Sequence, residues 1–172
     1  MANFEIRPLL QSDTLSLVKL HYRAFKAAAG DIFFTSPPSS SSYELMSRVR
    51  AKVLAKPNII AYQAISPSTG EMLGAAIFGV EAEGMTREQL EDETPMMDEF
   101  APEQREELWR AIGKRFRECY GEYVGSRPAV EVLMLIVDPG VQRGGIGSAL
   151  LDIGVREADR YVCCLFKTVK GL

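Results

Sequence analysis

The sequence predicts a fold of class α/β (α+β), and three stretches carry that prediction. An apolar run, Val130 to Val137, meets Asp138-Pro139, a glycine-rich turn and then an amphipathic helical pattern over Ile146–Arg160. Two further strand-like runs, residues 59–65 and 72–80, flank Ser66-Pro67-Ser68-Thr69-Gly70, whose residues have hairpin turn chemistry. Helical apolar spacing appears both before and after this pair.

With 172 residues, 47% hydrophobic and 25% charged, the chain suits one soluble domain, 1–172, able to bury a core without disulfides or metals. A formal charge of −3 gives no general attraction to nucleic acid or to an anionic membrane. There is no apolar run of membrane-spanning length and no basic-then-apolar N-terminus, so no membrane partner and no secretory signal is expected. The expected location is the cytoplasm, with the nucleus left open. Cys119, Cys163 and Cys164 form no C-x-x-C pair, which points to reduced, packed thiols and to no metal site. His21, the only histidine, has helical spacing from Val18 and Phe25 and reads as part of a partly buried helix face.

In chain order, Phe4-Glu5-Ile6-Arg7-Pro8 alternates apolar and polar, and its proline is tolerated only at an edge or strand end. Ser12 or Asp13 can cap a helix whose Leu17, Val18, His21, Tyr22 and Phe25 share one face and which ends near Gly30. Residues 35–42, rich in serine and proline, read as a mobile loop. A second helix is expected over 43–55, with Leu45, Met46, Val49 and Val53 inward, Arg48, Arg50 and Lys52 outward, and a stop before Pro57.

After the hairpin, residues at about 81–127 form a helical, acidic insertion. Its helix, 103–123, places Leu108, Ile112, Phe116, Cys119 and Tyr123 along one stripe, with Trp109 beside it. The acidic half, from Glu81 to Glu107, is either solvated surface or a rim that concentrates a cationic amine. No internal repeat is present.

The glycine-rich turn, Gln142-Arg143-Gly144-Gly145-Ile146-Gly147, lacks the Cβ atoms that would keep a ligand from the backbone. The amides opening the next helix can therefore point at one anionic group, such as a pyrophosphate. A Walker loop starting at Gly140 needs Lys and Ser/Thr where the chain has Ile146 and Gly147, and a dinucleotide fingerprint needs a small residue where it has Leu150. Instead, Gln142-x-x-Gly145-x-Gly147 after Val137-Asp138-Pro139 resembles the acetyl-CoA loop of the GNAT family of N-acetyltransferases. The Ile-Arg-Pro opening is similar to that family's first strand.

The resemblance implies a mixed, mostly antiparallel sheet flanked by helices. It also implies transfer of acetyl from acetyl-CoA, as cosubstrate, to a primary amine of a small molecule or peptide, with no metal. By similarity, the backbone of Leu135, Ile136 and Val137 would pair with the pantetheine arm. Gln142, Arg143, Gly144, Gly145, Ile146, Gly147 and Ser148 would enclose the pyrophosphate, where Arg143 is either a charge in the cradle or an exposed loop arginine. Glu131, eleven residues before Gln142, matches the glutamate base of the histone-acetylating branch. The alternative is a strand-end glutamate facing solvent.

The family normally continues past the cofactor helix with a strand, a tyrosine-bearing helix and closing strands. Here only Tyr161 to Leu172 follow, and Tyr161 comes too early for that tyrosine. The C-terminal elements are thus expected to be missing or shortened, leaving an apolar, uncovered sheet edge around Val162 to Phe166 through which the chain could self-associate. A catalytically impaired CoA-binding protein of the same fold is the alternative function.

Overall fold

A computed structural model describes residues 3–91, 98–161 and 164–166, without the side chains of 90, 91 and 164–166. Asp92 and Glu93 of the acidic run, the Val162–Cys163 pair and the side chains of the expected apolar edge lie outside the described residues.

The elements run β1 (Glu5–Pro8), a 3₁₀ turn, α1 (Thr14–Ala29), α2 (Ser40–Leu54), β2 (Ile59–Ile65), β3 (Met72–Glu81), α3 (Arg87–Glu91), α4 (Glu106–Tyr123), β4 (Ala129–Val137), a second 3₁₀ turn, α5 (Ile146–Arg160) and β5 (Cys164–Phe166). They build one five-stranded sheet in the order β1-β2-β3-β4-β5. The first four strands are antiparallel, and β5 runs parallel to β4. β1 lies at an edge, which accommodates Pro8 at its end.

One face of the sheet carries Ala75, Ile77, Met134 and Ile136 against Leu17, Leu20 and Ala24 of α1. The other carries Ala76, Phe78, Val130 and Val132 against Ile146, Leu150 and Ala158 of α5. Contact with α5 is close enough that a Cβ on Gly154 would lie 2.3 Å from the Phe78 ring.

A third, smaller core joins α1, α2, Phe33, Phe34, Ala101 and Trp109. There Trp109, Phe25 and Phe33 form a ring cluster, with centroids 5.0 Å apart for Phe33 and Trp109.

Three sequence expectations need correction. The serine run is no mobile loop beyond Pro38. Ser39 is the N-cap of α2, its hydroxyl accepting from the Ser42 amide at 3.2 Å, so Ser40, Ser41 and Ser42 are helical. Glu103 completes this start, accepting from the Ser39 amide at 3.0 Å and the Ser42 hydroxyl at 2.6 Å. Polarity suggested a loop, whereas here the polar groups satisfy the free amides of a helix start.

α4 begins at Glu106, and only part of the expected stripe faces inward: Leu108, with Trp109 beside it, packs on the third core. Tyr120 is buried against Val124 and Ala129, while Ile112 and Tyr123 face solvent.

Arg50 does not point outward. It lines a cavity with His21 and Trp109.

The acids at 98–107 are largely engaged within the molecule: Lys52 pairs with Asp98 and Glu99, and Arg110 pairs with Glu106.

Candidate functional site

β4 is the hinge of the site. Along most of its length it is bonded to β3, but one residue, Leu133, has no partner: Ile77 faces Met134 and Phe78 faces Val132. Strict alternation would put Glu131 on the same face as Leu135 and Val137, against α5. The extra residue reverses the parity, so Glu131 joins Met134 and Ile136 on the α1 face.

β5 pairs with β4 only at Ala129, Val130 and Glu131. Beyond the bulge, no described strand covers the side of β4 that faces away from β3. The amide of Asp138 bonds to Leu73 in β3 at 2.8 Å. Counting back in twos, the amide of Ile136 also serves β3, while those of Leu135 and Val137 point to the uncovered side. Of the three residues expected to offer backbone to a ligand, the pairing therefore makes two available.

The turn after β4 is fixed from both sides. The Asp138 side chain accepts from the Gly140 amide at 2.9 Å and from Arg23 of α1 at 2.7 Å. Partial burial pushes the Asp138 carboxyl up, and the two hydrogen bonds outweigh that, holding it below the ordinary carboxylate range.

Gln142 reaches back toward the Val137 carbonyl at 3.5 Å. Arg143 takes a left-handed backbone with φ of 63°, which is rare and costly outside glycine. Gly145 follows at φ of 86° and caps α5 without any side-chain hydrogen bond.

The first bond closing α5 runs from the Ala149 amide to the Gly145 carbonyl at 3.0 Å. The amides of Ile146, Gly147 and Ser148 therefore open outward at the positive end of the helix. A Cβ on Gly145 would meet nothing within 4 Å, and one on Gly147 only Val137 at 3.6 Å. The space that side chains would take at these two glycines is thus clear of protein atoms, and a side chain at 147 would occupy it. An anionic group fits this cradle.

Glu131 is 4% exposed, so it is not a solvent-facing strand end. Its Oε1 is buried without a hydrogen-bond partner among the described residues. Its other oxygen lies over Gly79, 3.8 Å from where a Cβ would stand, so the missing side chain makes its room. Burial, aided by the nearby Glu81 charge, pushes the Glu131 carboxyl up to about 8. Glu81 itself accepts from the Asn58 amide group at 2.7 Å.

Gly79 and Glu81 escaped the sequence reading because their bearing on Glu131 depends on strand register. Tyr161 ends α5, 44% exposed. Among the described residues no group of His, Cys, Asp and Glu is arranged to hold a metal ion. No helix among them is long and apolar enough to cross a membrane.

The mixed sheet with its flanking helices is the fold of the GNAT acetyltransferases, and solved structures of acetyltransferases are similar to the chain. No protein-family model and no curated protein matches the chain. Similar structures include a Trypanosoma brucei acetyltransferase, 16% identical with a TM-score of 0.55, over 96% of this chain and 82% of that one. An aminoglycoside acetyltransferase from an uncultured soil metagenomic sample, in complex with sisomicin, is 17% identical with a TM-score of 0.52, over 97% of this chain and 78% of that one. A predicted acetyltransferase from Clostridium acetobutylicum, solved with acetyl-CoA, is 12% identical with a TM-score of 0.56, over 96% and 80%. At these identities the likeness establishes the fold, a mixed α/β sheet with flanking helices.

Proposed function

We propose that the chain is an N-acetyltransferase that binds acetyl-CoA along the outer edge of β4 beyond its bulge and passes the acetyl group to a primary amine. The observation that carries this reading is the alignment of three features on one strand. The helix amides that suit a pyrophosphate lie past its C-terminal end, free backbone groups run along its edge, and a desolvated carboxyl stands before its bulge.

Glu131 and Val137 are separated by about 20 Å of strand. A ligand anchored at the loop must therefore be long and extended to present a reacting carbon near Glu131, as a thioester on a pantetheine arm would be. In this reading the amides of Ile146, Gly147 and Ser148 hold the pyrophosphate, with Gln142, Arg143, Gly144 and Gly145 around it. Leu135 and Val137 pair with the arm, and Ile136 shapes the strand between them.

The acceptor amine must lose its proton before its lone pair can attack the thioester carbonyl. Glu131 takes that proton. With its carboxyl at about 8 Glu131 is closer to the amine in proton affinity than an ordinary glutamate, and because only its ionised form accepts, transfer strengthens as pH rises toward that value. The new C–N bond forms as the C–S bond breaks, and the proton that the attacking nitrogen sheds passes to the departing sulfur, which leaves as a thiol. The acetyltransferase solved with the aminoglycoside sisomicin supports an amine acceptor.

Calorimetric titration with CoA tests the binding half. Wild type should bind, and Gly147→Asp should not, because its side chain occupies the space clear at this glycine and adds a like charge. Equal affinity in both would reject this loop as the site. Thiol release from acetyl-CoA across a panel of amines tests the transfer half. CoA binding with no release on any amine would leave a binding protein and sink the enzymatic reading.

A further inference from the structure

The smaller core between α1, α2 and α4 contains a cavity on which His21, Arg50, Gln104 and Trp109 converge, with Glu99 at its side. Its polar lining is dominated by donors. The indole N–H of Trp109 is buried and meets no acceptor. The Arg50 guanidinium makes no ion pair or hydrogen bond among the described residues, and burial alone pulls it down to about 10. The side-chain oxygen of Gln104 is taken by the Ala101 amide at 2.9 Å, which leaves its NH₂ group to donate. The one acid present, Glu99, is held by Lys52 at 2.8 Å.

His21 is 8% exposed and rests edge-on against Phe25, with ring centroids 4.4 Å apart. Burial and the Arg50 charge push it down to about 3, so the imidazole is neutral and does not add to the positive charge.

Indole and guanidinium can donate but never accept. Arg50 is half-buried, and a partly desolvated cation with no direct partner gains from an added acceptor. Neither the Arg50 guanidinium nor the Trp109 indole N–H is bonded to an acceptor among the described residues, and an anion between them would supply one.

We propose that the cavity binds one small monovalent anion, of the size of chloride or formate, held by the Arg50 guanidinium and the Trp109 indole N–H. The anion would join α2 to α4 across the cavity, tying the insertion that carries Trp109 to the core. This site is separate from the β4 edge and does not depend on acetyl transfer.

Trp109 is the only tryptophan in the chain, so its fluorescence reports on the cavity directly. The full-length protein is titrated with sodium chloride and, separately, sodium formate, with ionic strength held constant by sodium gluconate, whose anion is too bulky to enter. A saturable change in tryptophan emission, accompanied by a higher melting temperature, is the expected result. A response to formate alone assigns a carboxylate site, and a response to both salts a site for any small monoanion.

Arg50→Met should weaken the response about tenfold or more. Arg50→Lys, which keeps the charge but loses the fork, should fall between. Melting of Arg50→Met in gluconate shows that the variant is folded, so loss of its response has one meaning. The proposal is overturned if neither salt gives a saturable response, if gluconate reproduces it, or if Arg50→Met binds as wild type does.

Discussion

Glu131 owes its character to neighbours rather than to its own chemistry: a bulge turns it inward, and Gly79 leaves the room it fills. Two pH predictions follow from its carboxyl at about 8. For activity, Glu131→Gln should slow turnover most, by about a hundredfold, near pH 8, where the carboxyl is ionised and the amine still carries its proton. The gap should narrow as rising pH strips the amine of its proton without help, and pH–rate profiles of both proteins check this. A loss constant across pH would mean that Glu131 only supports the fold. For stability, the carboxyl of the folded protein ionises at higher pH than that of the unfolded chain, whose ordinary value is 4.5. Between these two values the folded state holds a proton that the unfolded state has released. Stability should therefore decline by at most about 1.4 kcal/mol per pH unit as pH rises through that window, and level off above it. Denaturant melts at successive pH values should show this slope in wild type and its disappearance in Glu131→Gln. Parallel curves would contradict the buried carboxyl.

Among the elements, α5 and α4 make opposite use of glycine. On α5, Gly154 lets Phe78 approach so closely that a methyl group would overlap the ring. Gly154→Ala should cost about 1–3 kcal/mol in spite of alanine's better helix propensity. On α4, a Cβ at Gly113 meets nothing within 4 Å, so Gly113→Ala should stabilise by up to about 1 kcal/mol. Urea melts of the two variants should move in opposite directions. At the start of α2, Ser39→Ala removes the acceptor for the Ser42 amide and should cost about 0.5–2 kcal/mol; an unchanged midpoint would return residues 39–42 to the status of a loop. The strand, turn and helix from 129 to 160 were legible in sequence because proline, glycine spacing and helical periodicity are local signals. What escaped was non-local. The serine run reads as a cap only with Glu103 beside it. The environment of Arg50 depends on how α4 packs, and the face of Glu131 depends on register against β3. The helix propensity of α4 could be read from its residues, whereas its inner edge at Tyr120 depends on docking near Ala129.

For the molecule as a whole, ligand binding and folding are linked, because the proposed cradle exists only when β4, the turn and α5 are assembled. CoA at about a hundred times its dissociation constant should add about 2.7 kcal/mol to the stability of wild type and nothing to Gly147→Asp. Thermal melts with and without CoA measure this, and equal shifts in both proteins would place the ligand elsewhere. The edge of β4 beyond its bulge, which no described strand covers, has a further consequence in isotope exchange. Its amides alternate between neighbours bonded to β3 and neighbours facing outward, so in deuterated water the label should enter residue by residue in a two-fold rhythm. Leu135 and Val137 should exchange quickly and Ile136 slowly. CoA, by taking the outward bonds, should erase that rhythm and leave β4 uniformly slow along its length.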